Sequence, residues 1–391
     1  MSNNKTLLIV WVYYPASGHF VEALEAAANY HAANPSIKIH LMVNKDTIWR
    51  IGKYCGWIKE IHPVDVSEVI SSGQEAACLQ GIPRSFDYVV FPERLKYTPQ
   101  DFTGDLLACN RTLLDLYEAS QWGGCNAEET SHLNIIPYVP FRLTIPNELI
   151  SEAESYKKGH PVFTVILKGE SRESIWPPLG VWRSILSGIR KEYPECVFLV
   201  TGVLGSHLSN KSNCDMVKKK IADFVEGIPG AVNCYDLGIE KQLALIGISD
   251  VLISPHTGFA FLSSCVGTPW LALAGGRWAE PQPAGMPFYS VLPRCDKYPC
   301  HGGDMRVVCR LRLKLRLPVL CMGSMLNKST GEILQGIRKL LSDDYTFDHA
   351  FQDYEGSAVA KGVNVGKIWR IERYKRTMGK AKYEEERGRL T

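Results

Sequence analysis

The residues whose types and spacing could do chemistry gather at two places where an apolar strand gives way to a helix. The segment from Ser249 to Pro269 (SDVLISPHTGFAFLSSCVGTP) runs from a β-branched strand into a turn over 255–258. A helix is predicted to begin near 257–259. Thr257 is a good N-cap, and Gly258 lets a ligand come close to the backbone. The free N–H groups and the positive dipole end at such a helix start suit a diphosphate. An ordinary strand–turn–helix junction has the same bare pattern. The second place is the first loop of the chain, YPASGHF over 14–20, where Gly18 and His19 stand between the opening strand and the next helix. A histidine there is either a proton carrier or a residue that caps the helix or packs in the turn.

Four cysteines make a third grouping: Cys295, Cys300, Cys309 and Cys321, with His301 beside Cys300. Four thiols within so short a span can hold iron or zinc in a structural role. The spacing lacks a Cys-x2-Cys pair, so core thiols remain the other reading. The remaining eight of the twelve cysteines are scattered, several in apolar surroundings such as Cys196 in CVFLV and Cys265 in FLSSCVG. Buried thiols in a reducing compartment account for them.

The elements that must position these groups read as two successive α/β units. In the first half, strands are predicted at 7–12, 37–43, 58–64 and 88–91, with helices at 20–33, 46–55, 67–79 and 105–121. A charged stretch, EAESYKKGHP over 152–161, reads as a linker. The pattern then restarts. Strands are predicted at 162–167, 196–201, 231–235, 251–254 and 270–274, and helices at 179–193 and 215–225. Ser329 and Glu332 have capping-box spacing at the start of a helix over 332–341. Strands alternating with helices at these intervals imply parallel sheets. A mixed-charge stretch over 367–389 reads as a solvated helix.

Composition bounds the function. The chain has 391 residues, more than a single core usually organises. The expected domains are 1–155, 156–345 and a helical tail over 346–391. A net charge of +3 argues neither for a nucleic-acid binder nor for a strongly membrane-attracted protein, and no nucleic-acid partner is expected. The opening apolar run is too short to span a membrane and is broken by Tyr13-Tyr14-Pro15, and nothing in it reads as a signal peptide. A cytoplasmic protein with no transmembrane segment is expected.

The segment 249–269 resembles the donor-site signature of the family 9 glycosyltransferases, the heptosyltransferases. Those enzymes carry a strand, Asp-Thr-Gly, a helix and Gly-x-Pro before the next strand. This chain has His256-Thr257-Gly258, then Gly267-Thr268-Pro269 and a strand that ends near Gly275-Gly276. His256 stands where the family has Asp. VFTVILKGESRESIW over 162–176, followed by Pro177, resembles the family's second-domain opening. Ser174 occupies the position of the family's phosphate-binding lysine, and Lys168 and Arg172 lie in the same loop as substitutes for its charge. Cys321-Met322 and the helix after Ser329 resemble the family's closing elements. The stretch 289–301 resembles the cysteine-rich insert of bacterial autotransporter heptosyltransferases, in which such cysteines hold iron. The likeness covers most of the second domain and the first loop of the first.

The resemblance implies the GT-B architecture, with two Rossmann-like doubly wound domains facing across a cleft. The first would take the acceptor and the second the nucleotide sugar. It implies inverting transfer of a sugar, plausibly a heptose from ADP-heptose, to an acceptor hydroxyl on a glycan, a protein or a small natural product. His19 aligns with the family's catalytic Asp and would remove the acceptor proton, for which imidazole is suited by its ordinary pKa. Glu22 and Asp101 are weaker candidates for that base. Lys168, Arg172, Ser174, His256, Thr257, Gly258 and Phe259 would bind the donor. No Asp-x-Asp motif occurs, so no catalytic metal is required. The rivals are a nucleotide-sugar epimerase on the same scaffold and a silent nucleotide-sugar binding protein.

Overall fold

A computed structural model describes residues 5–83, 86–90, 105–118, 133–136, 139–169, 175–204, 211–275, 285–300 and 305–363. The chain divides into two compact units, Met1–Ile145 and Pro146–Thr391.

The first unit is built on a four-stranded parallel sheet in the order β3-β2-β1-β4. Its strands are β1 (Thr6–Trp11), β2 (Lys38–Asn44), β3 (Ile58–Val64) and β4 (Tyr88–Val90). Helices cover both faces of such a sheet, so the central strands read as unbroken apolar runs. Leu7, Leu8, Ile9 and Val10 are accordingly buried in succession. Helix α1 (Ser17–Ala33) follows β1 and buries Phe20, Val21, Leu24 and Ala28.

Two helices expected in this unit take other forms. Residues 46–55 make a 3-10 turn over Trp49–Tyr54. Asn44 binds the chain locally instead: its Oδ1 accepts from the Asp46 amide at 2.9 Å, and its carbonyl accepts from the Thr47 hydroxyl at 2.8 Å. Such side-chain bonds compete with helix formation. The stretch 67–79 breaks into α2 (Val66–Ser72), a 3-10 turn and α3 (Ala77–Gln80). Gly73 sits at φ 56 and ends α2. Asp65 caps α2 through the Ser67 and Glu68 amides. The helix expected at 105–121 is present as α4 (Asp105–Glu118).

The second unit is built on a six-stranded parallel sheet in the order β10-β9-β8-β5-β6-β7. Its strands are β5 (Val162–Ile166), β6 (Val197–Gly202), β7 (Ala231–Tyr235), β8 (Val251–Pro255), β9 (Trp270–Leu273) and β10 (Phe288–Val291). The order reverses between β5 and β8, which pair through Val165 and Ile253. Two buried indoles fix the carboxyl ends of these central strands. Trp182 donates to the Leu167 carbonyl at 3.0 Å, and Trp270 donates to the Ser254 hydroxyl at 2.8 Å.

The stretch 152–161 is not a free linker along its whole length. Glu152 lies in helix α5 (Asn147–Glu154) and pairs with Lys241 of the helix Ile239–Gly247 at 2.6 Å. The Ser329–Glu332 capping box does not form. Helix Thr330–Leu340 begins there, but the Ser329 hydroxyl donates to the Met325 carbonyl and Glu332 pairs with Lys361. A capping box does open the helix Phe347–Ala360, between Thr346 and His349. That helix packs Phe347 and Tyr354 against Phe288 of β10, which makes 347–360 part of the second unit's packing. The predicted helix at 367–389 lies outside the described residues.

Candidate functional site

In open α/β sheets ligands bind beyond the carboxyl ends of the strands, where the strand order reverses. In the second unit that position lies between the loop after β5 and the turn after β8. Lys168 and Gly169 follow β5, and Thr257 and Gly258 follow β8. The two loops touch. A Cβ placed on Gly169 would stand 3.3 Å from the Thr257 Cβ and 3.0 Å from the Trp176 ring. Glycine at 169 is therefore what lets the Trp176 indole and Thr257 close on the β5 loop. Lys168 is half-buried at this junction.

The turn after β8 opens as a 3-10 turn, Gly258–Phe261, and continues as the short α-helix Leu262–Val266. Thr257 is extended at φ −132 and ψ 151, and its hydroxyl accepts from the Ala260 amide at 3.3 Å. The Gly258 and Phe259 amides head the turn, where a helix cannot satisfy N–H groups from within. The His256 ring packs edge-on against Phe261, with centroids 6.0 Å apart. Gly267 ends the helix in the left-handed conformation at φ 85, and the Thr268 hydroxyl ties the exit to the Ile246 carbonyl at 2.6 Å. Buried polar backbone at a sheet's reversal point can hold an anionic group. Arg172 and Ser174 lie outside the described residues.

In the first unit the order reverses at β1, and His19 lies in the first turn of α1. Helix α1 has no side-chain cap, so His19 does not serve as one. Its Nδ1 meets Glu22 Oε2 at 2.9 Å, with Glu22 9% exposed. A carboxylate accepts from Nδ1–H, which leaves Nε2 as the basic nitrogen. The Tyr13 ring stands edge-on to the imidazole at 4.3 Å. Glu22 is thus in position to orient the His19 ring. The i,i+3 spacing on a helix was the signal for that pairing. Asp101 lies outside the described residues.

Cys295, Cys300, Cys309 and Cys321 line one cavity of about 20 Å³, with Met305 and Met325. That is room for a single small occupant. Arg306, which pairs with Asp296, also borders it. A Cβ on Gly275 would lie 3.1 Å from the Cys321 sulfur. None of the described cysteines forms a disulfide. The sulfurs are not drawn into a single coordination sphere: among the described residues, the group with three convergent ligand atoms is His40, Glu60 and His62. Those three were not singled out from the sequence. Glu60 and His62 stand two apart on one strand, which places them on one face of the sheet.

No family model matches this sequence, and no curated protein matches it. Solved structures do share its fold. A family 9 glycosyl transferase from Veillonella parvula superposes with a TM-score of 0.52 at 12% identity, covering 87% of this chain and 98% of that one. The E. coli ADP-heptose LPS heptosyltransferase II superposes with a TM-score of 0.54 at 10% identity, covering 86% of this chain and 98% of that one. The chain has the fold of the family 9 heptosyltransferases. Two parallel sheets of four and six strands, each flanked by helices, are the α/β architecture these structures share with it. No helix among the described residues is long and apolar enough to cross a membrane.

Proposed function

We propose that this protein is an inverting glycosyltransferase that moves a sugar from a nucleoside diphosphate to an acceptor hydroxyl. The observation that carries the reading is the junction of Gly169 with Thr257, which brings a lysine loop and a glycine-headed helical turn together at the reversal point of the second sheet. A diphosphate there takes the Gly258 and Phe259 amides as donors and Lys168 as a counter-charge. His256 and Thr257 border the same place, and we assign Arg172 and Ser174 to donor binding from their sequence position alone.

The first unit, Met1–Ile145, takes the acceptor. His19 Nε2 removes the hydroxyl proton while Glu22 holds the ring. The acceptor oxygen displaces the diphosphate directly at the anomeric carbon, and the charge that builds on the leaving group is met by the turn after β8. The second unit, Pro146–Thr391, takes the donor. Heptose on ADP is the donor we favour, on the fold that the chain shares with heptosyltransferases. We place the enzyme in the cytoplasm, where its many buried thiols stay reduced.

The four thiols that line the cysteine cavity suit a soft metal by their donor chemistry. We propose that Cys295, Cys300, Cys309 and Cys321 would hold one iron or zinc ion there if binding drew their sulfurs together, since they do not converge on one point without it. Elemental analysis of protein purified without added metal should find close to one ion per chain. A content far below that in folded protein would leave the four thiols as core residues.

The deciding experiment has two stages. A thermal-shift screen of nucleoside diphosphates and nucleotide sugars identifies the base, because a ligand bound only to the native state raises the melting temperature. Turnover is then measured with and without acceptors. Transfer requires acceptor-dependent release of the nucleoside diphosphate. Conversion without acceptor would mean an epimerase, and binding without any product would mean a silent binder.

A further inference from the structure

We propose that His40, Glu60 and His62 form a binding site for a divalent transition-metal ion of the zinc class on the outer strand pair of the first unit. The strand register brings them together. His40 of β2 pairs with Glu60 of β3 after a shift in register between Ile39 and His40. His62 follows two residues later, on the same face as Glu60. Both imidazoles are 6% exposed, whereas the Glu60 side chain is 51% exposed at the sheet edge. The rings lie parallel with centroids 5.4 Å apart, and the Phe86 ring stands edge-on to His40 at 5.1 Å.

Three donor atoms converge. His40 Nδ1 is 3.1 Å from His62 Nε2, and Glu60 Oε2 is 3.7 Å from the first and 3.9 Å from the second. These distances define a triangle whose centre lies about 2.1 Å from every donor. Zinc bonds to imidazole nitrogen and to carboxylate oxygen are of the same length, roughly 2.0–2.2 Å. The competing arrangement is an N–H···N hydrogen bond between the two rings. It accounts for the 3.1 Å contact. It gives the carboxylate no role, since Glu60 is too far from either ring to hydrogen-bond and nearly equidistant from both.

Both imidazoles are buried against the sheet with their ring nitrogens turned toward one another. Lys38 and Lys59 lie near His40 and oppose a cation held by charge alone. Two imidazoles and one carboxylate bind Zn²⁺, Co²⁺ or Ni²⁺ through nitrogen and discriminate against Mg²⁺ and Ca²⁺, which prefer all-oxygen sites. The half-exposed Glu60 provides the route in from solvent. The ion would bind the edge strand β3 to β2.

The test uses the full chain, stripped with a chelator and titrated with Zn²⁺ or Co²⁺ alone. The wild type should take up an ion whose Co²⁺ spectrum shows visible ligand-field bands without thiolate charge transfer, and whose Zn²⁺ X-ray absorption shows a nitrogen and oxygen shell. Any ion at the cysteine cavity would show sulfur instead, so the two sites are read separately. Glu60→Gln changes a half-exposed side chain and should keep the fold. It should weaken Zn²⁺ at this site by about tenfold or more. His62→Ala should abolish the nitrogen-ligated ion and its stabilisation against heat. Zn²⁺ found only on sulfur in the wild type, or Glu60→Gln binding as tightly as wild type, would overturn the site and leave a hydrogen-bonded histidine pair. Neither result bears on sugar transfer.

Discussion

The loop that leads from β1 into α1 and the turn that follows β8 each border the point where their own sheet's strand order reverses, yet they carry opposite chemistry. Each follows a strand at which the order reverses, and each leads into a helix. The first carries a titratable pair, His19 against a buried Glu22, walled by Tyr13. The second presents a glycine, two leading amides and a threonine whose hydroxyl is turned inward onto Ala260. The first is the place we propose for proton transfer and the second the place we propose for the diphosphate. The difference follows from local sequence, since the fold dictates only where a ligand can approach.

That contrast can be broken most decisively at His19. His19→Ala should lose on the order of 10²–10⁴ in turnover, the range for general-base catalysis, while nucleotide affinity measured by calorimetry stays near wild type. His19→Asp, which keeps a proton acceptor at this position, should retain more activity than the alanine variant. Glu22→Gln keeps the imidazole and removes the carboxylate that orients it. It should lower kcat by less than His19→Ala and leave KM unchanged. If His19→Ala turns over a verified acceptor at the wild-type rate, the base lies elsewhere.

The second unit should answer in the opposite sense. Gly258→Val puts a branched side chain where the proposed diphosphate meets the backbone. Nucleotide affinity should fall by about tenfold or more, close to 1.4 kcal/mol, with the fold intact. Unchanged binding would mean that the turn after β8 is not the phosphate site.

Much of the fold was legible because parallel strands buried on both faces write themselves as apolar runs. The strands at 58–64 and 231–235 coincide with the observed ones, and the other predicted strands fall within a residue or so. Less legible was whatever depends on a side chain choosing between local partners. Asn44 diverted 46–55 from a helix into a 3-10 turn, and Glu332 left its capping box for Lys361. The helix Ile239–Gly247 and strand β10 went unpredicted, the latter because four residues carry too little periodicity. In the candidate site, Thr257 and Gly258 could be found from their motif. The contact of Gly169 with Thr257 could not, because 88 residues separate two loops that only the sheet order brings together. The His40–Glu60–His62 group was hidden for the same reason, since its register depends on an irregularity between β2 and β3.

A smaller effect sharpens the account of how the second site is held. Trp182→Phe removes the indole N–H that satisfies the Leu167 carbonyl, just before Lys168. The ring is fully buried, so the orphaned carbonyl should cost about 1–3 kcal/mol in urea unfolding. Retained stability would mean that the loop after β5 is positioned by other contacts.

The smallest expected effect separates the threonine from the glycine beside it. Thr257 is 4% exposed, and its hydroxyl already serves as the cap of the turn. Thr257→Val keeps the shape and the contact with Gly169 while removing the acceptor. The bond to the Ala260 amide is long at 3.3 Å, so the loss should fall at the low end of capping energies, about 0.5–1 kcal/mol. Urea unfolding would read this as a lower midpoint with an unchanged slope. Nucleotide affinity should fall less than in Gly258→Val, because a hydroxyl engaged with its own turn is not the group that meets the ligand. Thr257→Ser, which keeps the acceptor and loses the methyl, should bind nucleotide as the wild type does. If Thr257→Val instead loses as much affinity as Gly258→Val, and Thr257→Ser restores it, then the hydroxyl leaves Ala260 to contact the diphosphate. The site would then work through a side chain as well as through the backbone.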